Sequence, residues 1–219
     1  MNFLEICQKV HKIAAIDGDT IVSVENQTGM NARIVDWVQR AYEDIQRHRT
    51  DWHFRQALAS ISVLAGQSTV YNLRDNMEYI DPRSITYTLD GSTKVYRVDI
   101  LDYDYFYHKY ESQERESGNP ERMSVNHTND IVLDPIPDAD LTLKFYYTKS
   151  LDFLENNTDE PLIRRAYQDS IVWKALKYYA EEQEAEGIFQ TAMMNYKEAL
   201  NRMELDLRPR PTRVITPLA

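Results

Sequence analysis

The chain has 219 residues, 42% hydrophobic and 27% charged, which is ordinary for a globular protein with room for one sizeable domain or two small ones. Thirty-five acids against twenty-five bases give a formal net charge of −10, which argues against a surface that wraps DNA and for one that nucleic acid slides past. No apolar run approaches the roughly 20 residues a membrane span needs, and Met1-Asn2-Phe3-Leu4-Glu5 carries neither a basic stretch nor a secretory apolar core.

Phe3, Ile6, Val10, Ile13 and Ala14 recur at three- and four-residue spacing and predict a helix over Asn2 to Ile16, ended by Asp17-Gly18-Asp19. A short apolar piece, Ile21 to Val24, leads to Gly29, and Asn31 is the expected N-cap of a second helix. Ile34, Trp37, Ala41, Ile45 and His48 trace its buried face, and Thr50-Asp51-Trp52 closes it.

The pattern changes after Phe54. Short runs rich in β-branched and aromatic residues predict strands at Leu58–Leu64, Thr69–Leu73, Ser84–Leu89, Val95–Ile100, Met123–Asn126, Ile131–Asp134 and Leu141–Thr148. Asp90-Gly91 is the strongest hairpin signal among them. Strands that follow one another without helices between them imply antiparallel pairing in a sheet or sandwich. One helix interrupts the series: Tyr103, Phe106, Tyr107 and Tyr110 form an aromatic stripe after an Asp102 cap, with Gly118-Asn119-Pro120 as terminator.

From Pro161 the chain reads as helical again, with Ala166, Trp173, Leu176 and Ala180 buried and the acidic run from Glu181 solvated. Gly187 breaks or bends it, and Ile188, Ala192, Tyr196, Ala199 and Met203 mark a last helix. From Leu207 to Ala219 three prolines exclude a helix, and Arg208, Arg210 and Arg213 make an extended, basic arm on an acidic chain. The expected fold class is therefore α+β. N- and C-terminal helices (1–56 and 151–206) form one bundle, a central antiparallel β domain with one inserted helix covers 57–150, and the arm covers 207–219.

Little in the chain points to catalysis. The single cysteine, Cys7, lies in an apolar helical pattern and is expected to be a buried thiol. His48 and His53 flank Asp51, yet a spacing of five across a helix end is not a standard ligand pair, so one core-facing and one terminal histidine is the expectation. Asp17-Gly18-Asp19 starts like a calcium loop, but Ile21 stands where the fifth position needs an oxygen, so a turn is expected. There is no Gly-rich phosphate loop and no Gly-x-Ser-x-Gly elbow. The aromatic stripe could stack bases, but at helical spacing beside acids it is expected to be core or subunit interface. No catalytic residue, cofactor or metal is assigned.

Several segments resemble a known family when taken in order. These are Ile34 through Gln46 followed by Trp52-His53-Phe54-Arg55, and Gly118-Asn119-Pro120 through Ile131-Val132-Leu133-Asp134-Pro135-Ile136-Pro137-Asp138. Leu141-Thr142-Leu143-Lys144-Phe145-Tyr146-Tyr147 and the helix holding Tyr167, Ala175 and Tyr179 continue the series. Their order from Ile34 to Met203 is similar to that of tailed-bacteriophage head-to-tail adaptors; the inserted helix from Asp102 to Ser112 has no clear counterpart. The resemblance implies a structural protein of the virion neck, made in the host cytoplasm and assembled as a homo-oligomeric, dodecameric ring. Its partners would be the portal protein above and a tail or neck protein below, with genome DNA passing through the lumen without specific binding. It also implies that the arm docks on the portal, through Arg208, Arg210 and Arg213 as charge partners and Val214, Ile215 and Leu218 as apolar anchors. The alternatives are a small virion-associated hydrolase using paired carboxylates and a tyrosine-based nucleic-acid binder.

Overall fold

The computed structural model describes residues 1–70 and 76–207. Helix α1 spans Phe3–Ile13. It opens with a reciprocal cap in which the Asn2 side chain accepts from the Glu5 N–H at 2.8 Å and the Glu5 carboxylate accepts from the Asn2 N–H at 3.1 Å. The helix stops before the expected Ile16 because Ala15 takes a left-handed φ of 50°. Helix α2 spans Gly29–Arg47. It starts two residues before the expected cap, Asn31: Gly29 turns the chain at φ 60°, a conformation glycine adopts at little cost, and Thr28 stands at the N-cap.

His48 is a second departure. It is the C-cap of α2, exposed, with its ring nitrogen 2.9 Å from Glu204, and it does not face the core as its spacing suggested. The helix ends at Arg47 and the side chain leaves the buried stripe there. Trp52 fills the space, fully buried, and its indole N–H donates to the Ile45 carbonyl at 2.9 Å. A 3-10 turn, His53–Arg55, leads into the β region.

That region contains β1 (Gln56–Val63), β2 (Thr69–Val70), β3 (Met77–Ile80), β4 (Thr86–Leu89), β5 (Val95–Arg97) and β6 (Asp99–Ile100). After them come a short helix α3 (Tyr103–Phe106), a π-helical turn (Tyr107–Glu111), β7 (Ser117–Gly118), β8 (Arg122–Val125), β9 (Ile131–Asp134), β10 (Ile136–Pro137) and β11 (Leu141–Lys149). A 3-10 turn at Arg165–Tyr167 precedes α4 (Asp169–Glu182) and α5 (Glu186–Leu207). Residues 161–164 are not helical, although Pro161 suggested a helix start, and Ala166 is exposed where burial was expected. The backbone before α4 is committed to partners distant in sequence: Phe3 donates to the Asp159 carbonyl at 2.8 Å and Leu162 donates to the Tyr42 hydroxyl at 3.0 Å. The break between α4 and α5 falls at Glu184, with φ 52°, while Gly187 lies in the first turn of α5.

The chain divides into two compact units, Met1–Arg55 with Leu151–Ala219, and Gln56–Ser150. In the first, α1, α2, α4 and α5 pack together. Phe3, Ile6 and Val10 of α1 meet Ile34, Trp37, Ala41 and Ile45 of α2, Ile171, Ala175 and Leu176 of α4, and Ala192, Met203 and Leu207 of α5 in one core. Each fully buried Ile or Phe of this set contributes about 1.5–3 kcal/mol.

Among the described residues the second unit holds two larger sheets and a two-stranded pair, β7 with β10. One has strand order β1-β11-β4-β5, with β3 also pairing β11; the other has order β2-β9-β8-β6. Leu141, Leu143, Phe145 and Tyr147 of β11, Ala59 and Val63 of β1, Tyr87 of β4, Met123 of β8 and Ile131 and Leu133 of β9 share one core, so the two sheets face each other. Pairing is mostly antiparallel, but the short β6·β8 and β7·β10 pairs are parallel. The Asp90-Gly91 turn does join β4 to β5, with Tyr87 opposite Tyr96 and their rings stacked at 5.0 Å. The single strand expected over Val95–Ile100 is two strands in different sheets. The chain crosses between them at Val98, which is buried and donates to the Ile85 carbonyl at 3.3 Å.

Candidate interaction surfaces

In the helical unit the polar groups turn inward. Gln39, Tyr42 and Gln46, at i, i+3 and i+7, line one side of α2 and fasten the segment after Ser150. The Gln39 amide donates to the Leu154 carbonyl at 2.8 Å. The fully buried Gln46 donates to the Asp152 carbonyl at 2.8 Å and accepts from the Asp152 N–H at 2.9 Å, so its amide stands in for a strand's backbone. The Tyr42 hydroxyl donates to the Asp152 carboxylate at 2.7 Å; burial first, then that carboxylate, push its ionisation far above the ordinary phenol range. The buried face predicted for α2 left out Tyr42 and Gln46; their helical spacing beside the apolar stripe was the available signal.

On the same helix Asp44 accepts from the Tyr178 hydroxyl and pairs with Lys174 at 3.4 Å, while Arg40 stacks over the Tyr178 ring at 4.7 Å. Burial alone would raise the Asp44 carboxyl, but these donors outweigh it and hold the carboxyl below its usual range. Backbone donors from Asn156 and Glu155 likewise hold Asp159 low. A general acid needs a carboxyl held high, so neither suits that task. Burial pushes the Cys7 thiol up to about 12, which leaves it protonated and unreactive at neutral pH. His48 and His53 are both exposed, and Asp51 is taken by a two-pronged Arg49 bond at 2.7 and 2.8 Å. Asp17, Gly18 and Asp19 form an exposed bend. Among the described residues no three His, Cys, Asp or Glu side chains cluster as a metal would require.

In the β unit the aromatic insert is partly a surface. Asp102 caps α3 as its position suggested, accepting from the Asp104 and Tyr105 N–H groups. Of the predicted stripe only Phe106 is buried; Tyr103 and Tyr110 are half-buried and Tyr107 is exposed. The α-helical turn ends at Phe106, and the π-helical turn that follows, Tyr107–Glu111, changes the spacing of a face only beyond that point. Lys109 donates to the Tyr105 hydroxyl at 2.7 Å, and Arg122 lies over the Tyr110 ring at 4.9 Å.

The first sheet also turns a face outward. Alternation along β11 buries Leu141, Leu143 and Phe145 and leaves Lys144 and Tyr146 exposed. Leu58 of β1 stands directly opposite Tyr146, and both are 55% exposed. Strand β1 is the edge of this sheet: it pairs with β11 in unbroken register from Gln56 to Val63, and among the described residues no strand pairs with its other side. The residues expected to contact the portal, Arg208, Arg210, Arg213, Val214, Ile215 and Leu218, lie outside the described residues.

No described helix is long and apolar enough to cross a membrane. No curated protein matches the chain. The family model described as SU10 adaptor protein matches residues 1–217, nearly the whole chain, in line with the resemblance to phage head-to-tail adaptors; the chain belongs to the SU10 adaptor protein family.

Proposed function

We propose that this adaptor forms a ring, twelve copies in its common form, beneath the phage portal, joining capsid to tail and continuing the DNA channel. The family match over residues 1–217 carries the reading. The sequence adds two supports. The arm combines three arginines with Val214, Ile215 and Leu218, a set suited to carboxylates and apolar pockets on a partner. Its prolines lower the entropy cost of ordering an extended segment on that partner. The net charge of −10 suits a conduit along which DNA moves without sticking.

On this reading the isolated chain is a monomer or associates weakly, and the portal templates the ring. The test is co-sedimentation with the portal of the same phage, comparing the intact chain with one ending at Leu207, which keeps the buried final residue of α5. Portal binding that depends on residues 208–219 is the expected result. Equal binding by the shortened chain overturns the role of the arm, and no binding by either overturns the portal reading.

A further inference from the structure

Sheet edges in folded proteins are usually short, charged, bulged or broken by proline, because an open edge recruits other strands. Two of the edges fit that rule: β6 has two residues, and β5 has three, one of them Arg97. β1 does not. Its eight residues, Gln56-Ala57-Leu58-Ala59-Ser60-Ile61-Ser62-Val63, include no charge, proline or glycine, and its register with β11 has no bulge. In an antiparallel pair alternate residues point their N–H and C=O groups away from the partner strand. Half of β1 therefore offers backbone groups to an incoming strand.

The same chain carries a segment with the chemistry to fill that edge. Thr212-Arg213-Val214-Ile215-Thr216 has four β-branched residues in five, the composition strands favour. Pro211 and Pro217 bracket it and stop any ladder at five residues. At about 3.3 Å per residue it covers about 16 Å of an edge about 26 Å long. Charge favours a copy of this chain as host: residues 208–219 hold three arginines and no acid, so every one of the thirty-five acids lies elsewhere. On the outward face Leu58 and Tyr146 are exposed beside Ser60 and Ser62, with the exposed Lys144 opposite Ser60, so an incoming strand meets a mix of apolar and polar neighbours.

From this we infer that Thr212–Thr216 of one copy adds as an extra strand to the β1 edge of a second copy, so that neighbouring adaptors are laced by backbone hydrogen bonds. This pairing concerns copies free of portal and does not rest on the proposed ring: the same residues cannot serve both partners at once, so docking of the arm on a portal would release the added strand.

The test is hydrogen exchange on the full chain without portal, over a range of protein concentrations, alongside a Val214→Pro variant. That substitution deletes one N–H in the middle of the segment and lies beyond α5 in sequence. The expected result is protection of alternate β1 amides that grows with concentration. Exchange at those amides slows about tenfold when roughly 90% of edges are occupied, and the effect is lost in the variant. A synthetic peptide of residues 208–219, added to dilute full chain, reproduces the protection. Concentration-independent exchange in β1, with no response to the peptide, overturns the inference. So does protection that survives Val214→Pro, which would mean that two β1 edges pair with each other. Portal binding is read in a separate assay, so failure of the adaptor reading leaves this result standing and the reverse also holds.

Discussion

The two units of this chain solve opposite problems. The helical unit is built from segments some hundred residues apart, Met1–Arg55 and the stretch from Leu151, and it turns polar side chains inward to fix how they meet. Gln46, Tyr42 and Gln39 clasp specific backbone groups of residues 152–162, where an apolar seam alone would allow sliding. The β unit is one continuous stretch, Gln56–Ser150, whose register is set by alternation along β11 and by a tight hairpin. Its core is apolar apart from a nearly buried cluster in which Arg115 and Arg122 meet Asp134, and among the described residues it leaves Leu58, Tyr146 and a long strand edge unpaired with any further strand. The lesson is that polarity points in where distant segments must be matched, and backbone polarity points out where another chain can be received.

Substitutions can break this contrast. Trp52→Ala in the helical unit should have the largest effect, about 3–5 kcal/mol lost in chemical denaturation, because it empties a fully buried site and frees the Ile45 carbonyl. Gln46→Leu is close in volume and more apolar, yet it should cost about 2 kcal/mol by orphaning two partly buried backbone groups of Asp152. A neutral result there would mean that the inward polar groups are dispensable. Tyr42→Phe should lose about 1–2 kcal/mol by the same logic.

The titration behaviour sharpens the point. Burial raises Tyr42 and Tyr178, raises Tyr196 to about 12 and raises the Cys7 thiol to about 12. These groups are neutral in the folded state, so their contribution is complete below their ordinary values and is lost as pH rises through the folded ones. Absorbance titration should show these phenols ionising only above about pH 10, together with the loss of helix signal. Asp44 acts in the other direction: its lowered carboxyl adds stability above about pH 4 that disappears as pH falls through its folded value. Ser62→Val on the outward face of β1 should be the smallest change, within about 0.5 kcal/mol in denaturation.

Much of this architecture was legible in the sequence wherever local pattern decides structure. Ile131–Asp134 is a strand over its predicted length, the Asp90-Gly91 hairpin forms, Asp102 caps its helix, and Ile188, Ala192, Tyr196, Ala199 and Met203 share the inner side of α5. The errors arise where distant contacts override local signals. Pro161 looked like a helix start, but the backbone around it bonds to α1 and α2. Val95–Ile100 alternates like one strand, and only the second sheet makes the chain change partners at Val98. His48 fits the apolar period of α2, but the helix ends one residue before it. The staple of Gln39, Tyr42 and Gln46 was invisible for a related reason: its partners are backbone groups more than a hundred residues away. The open β1 edge needed the sheet order, which no local pattern supplies.

Seating as a ring on a portal is a matter of stoichiometry. The most direct measurement is the mass of the assembly formed with the portal of its own phage, by native mass spectrometry with negative-stain imaging of the same sample. Many adaptor copies on one portal are expected, twelve in the common form, with loss of that species when residues 208–219 are removed. A portal that stays bare at every adaptor concentration would contradict that seating.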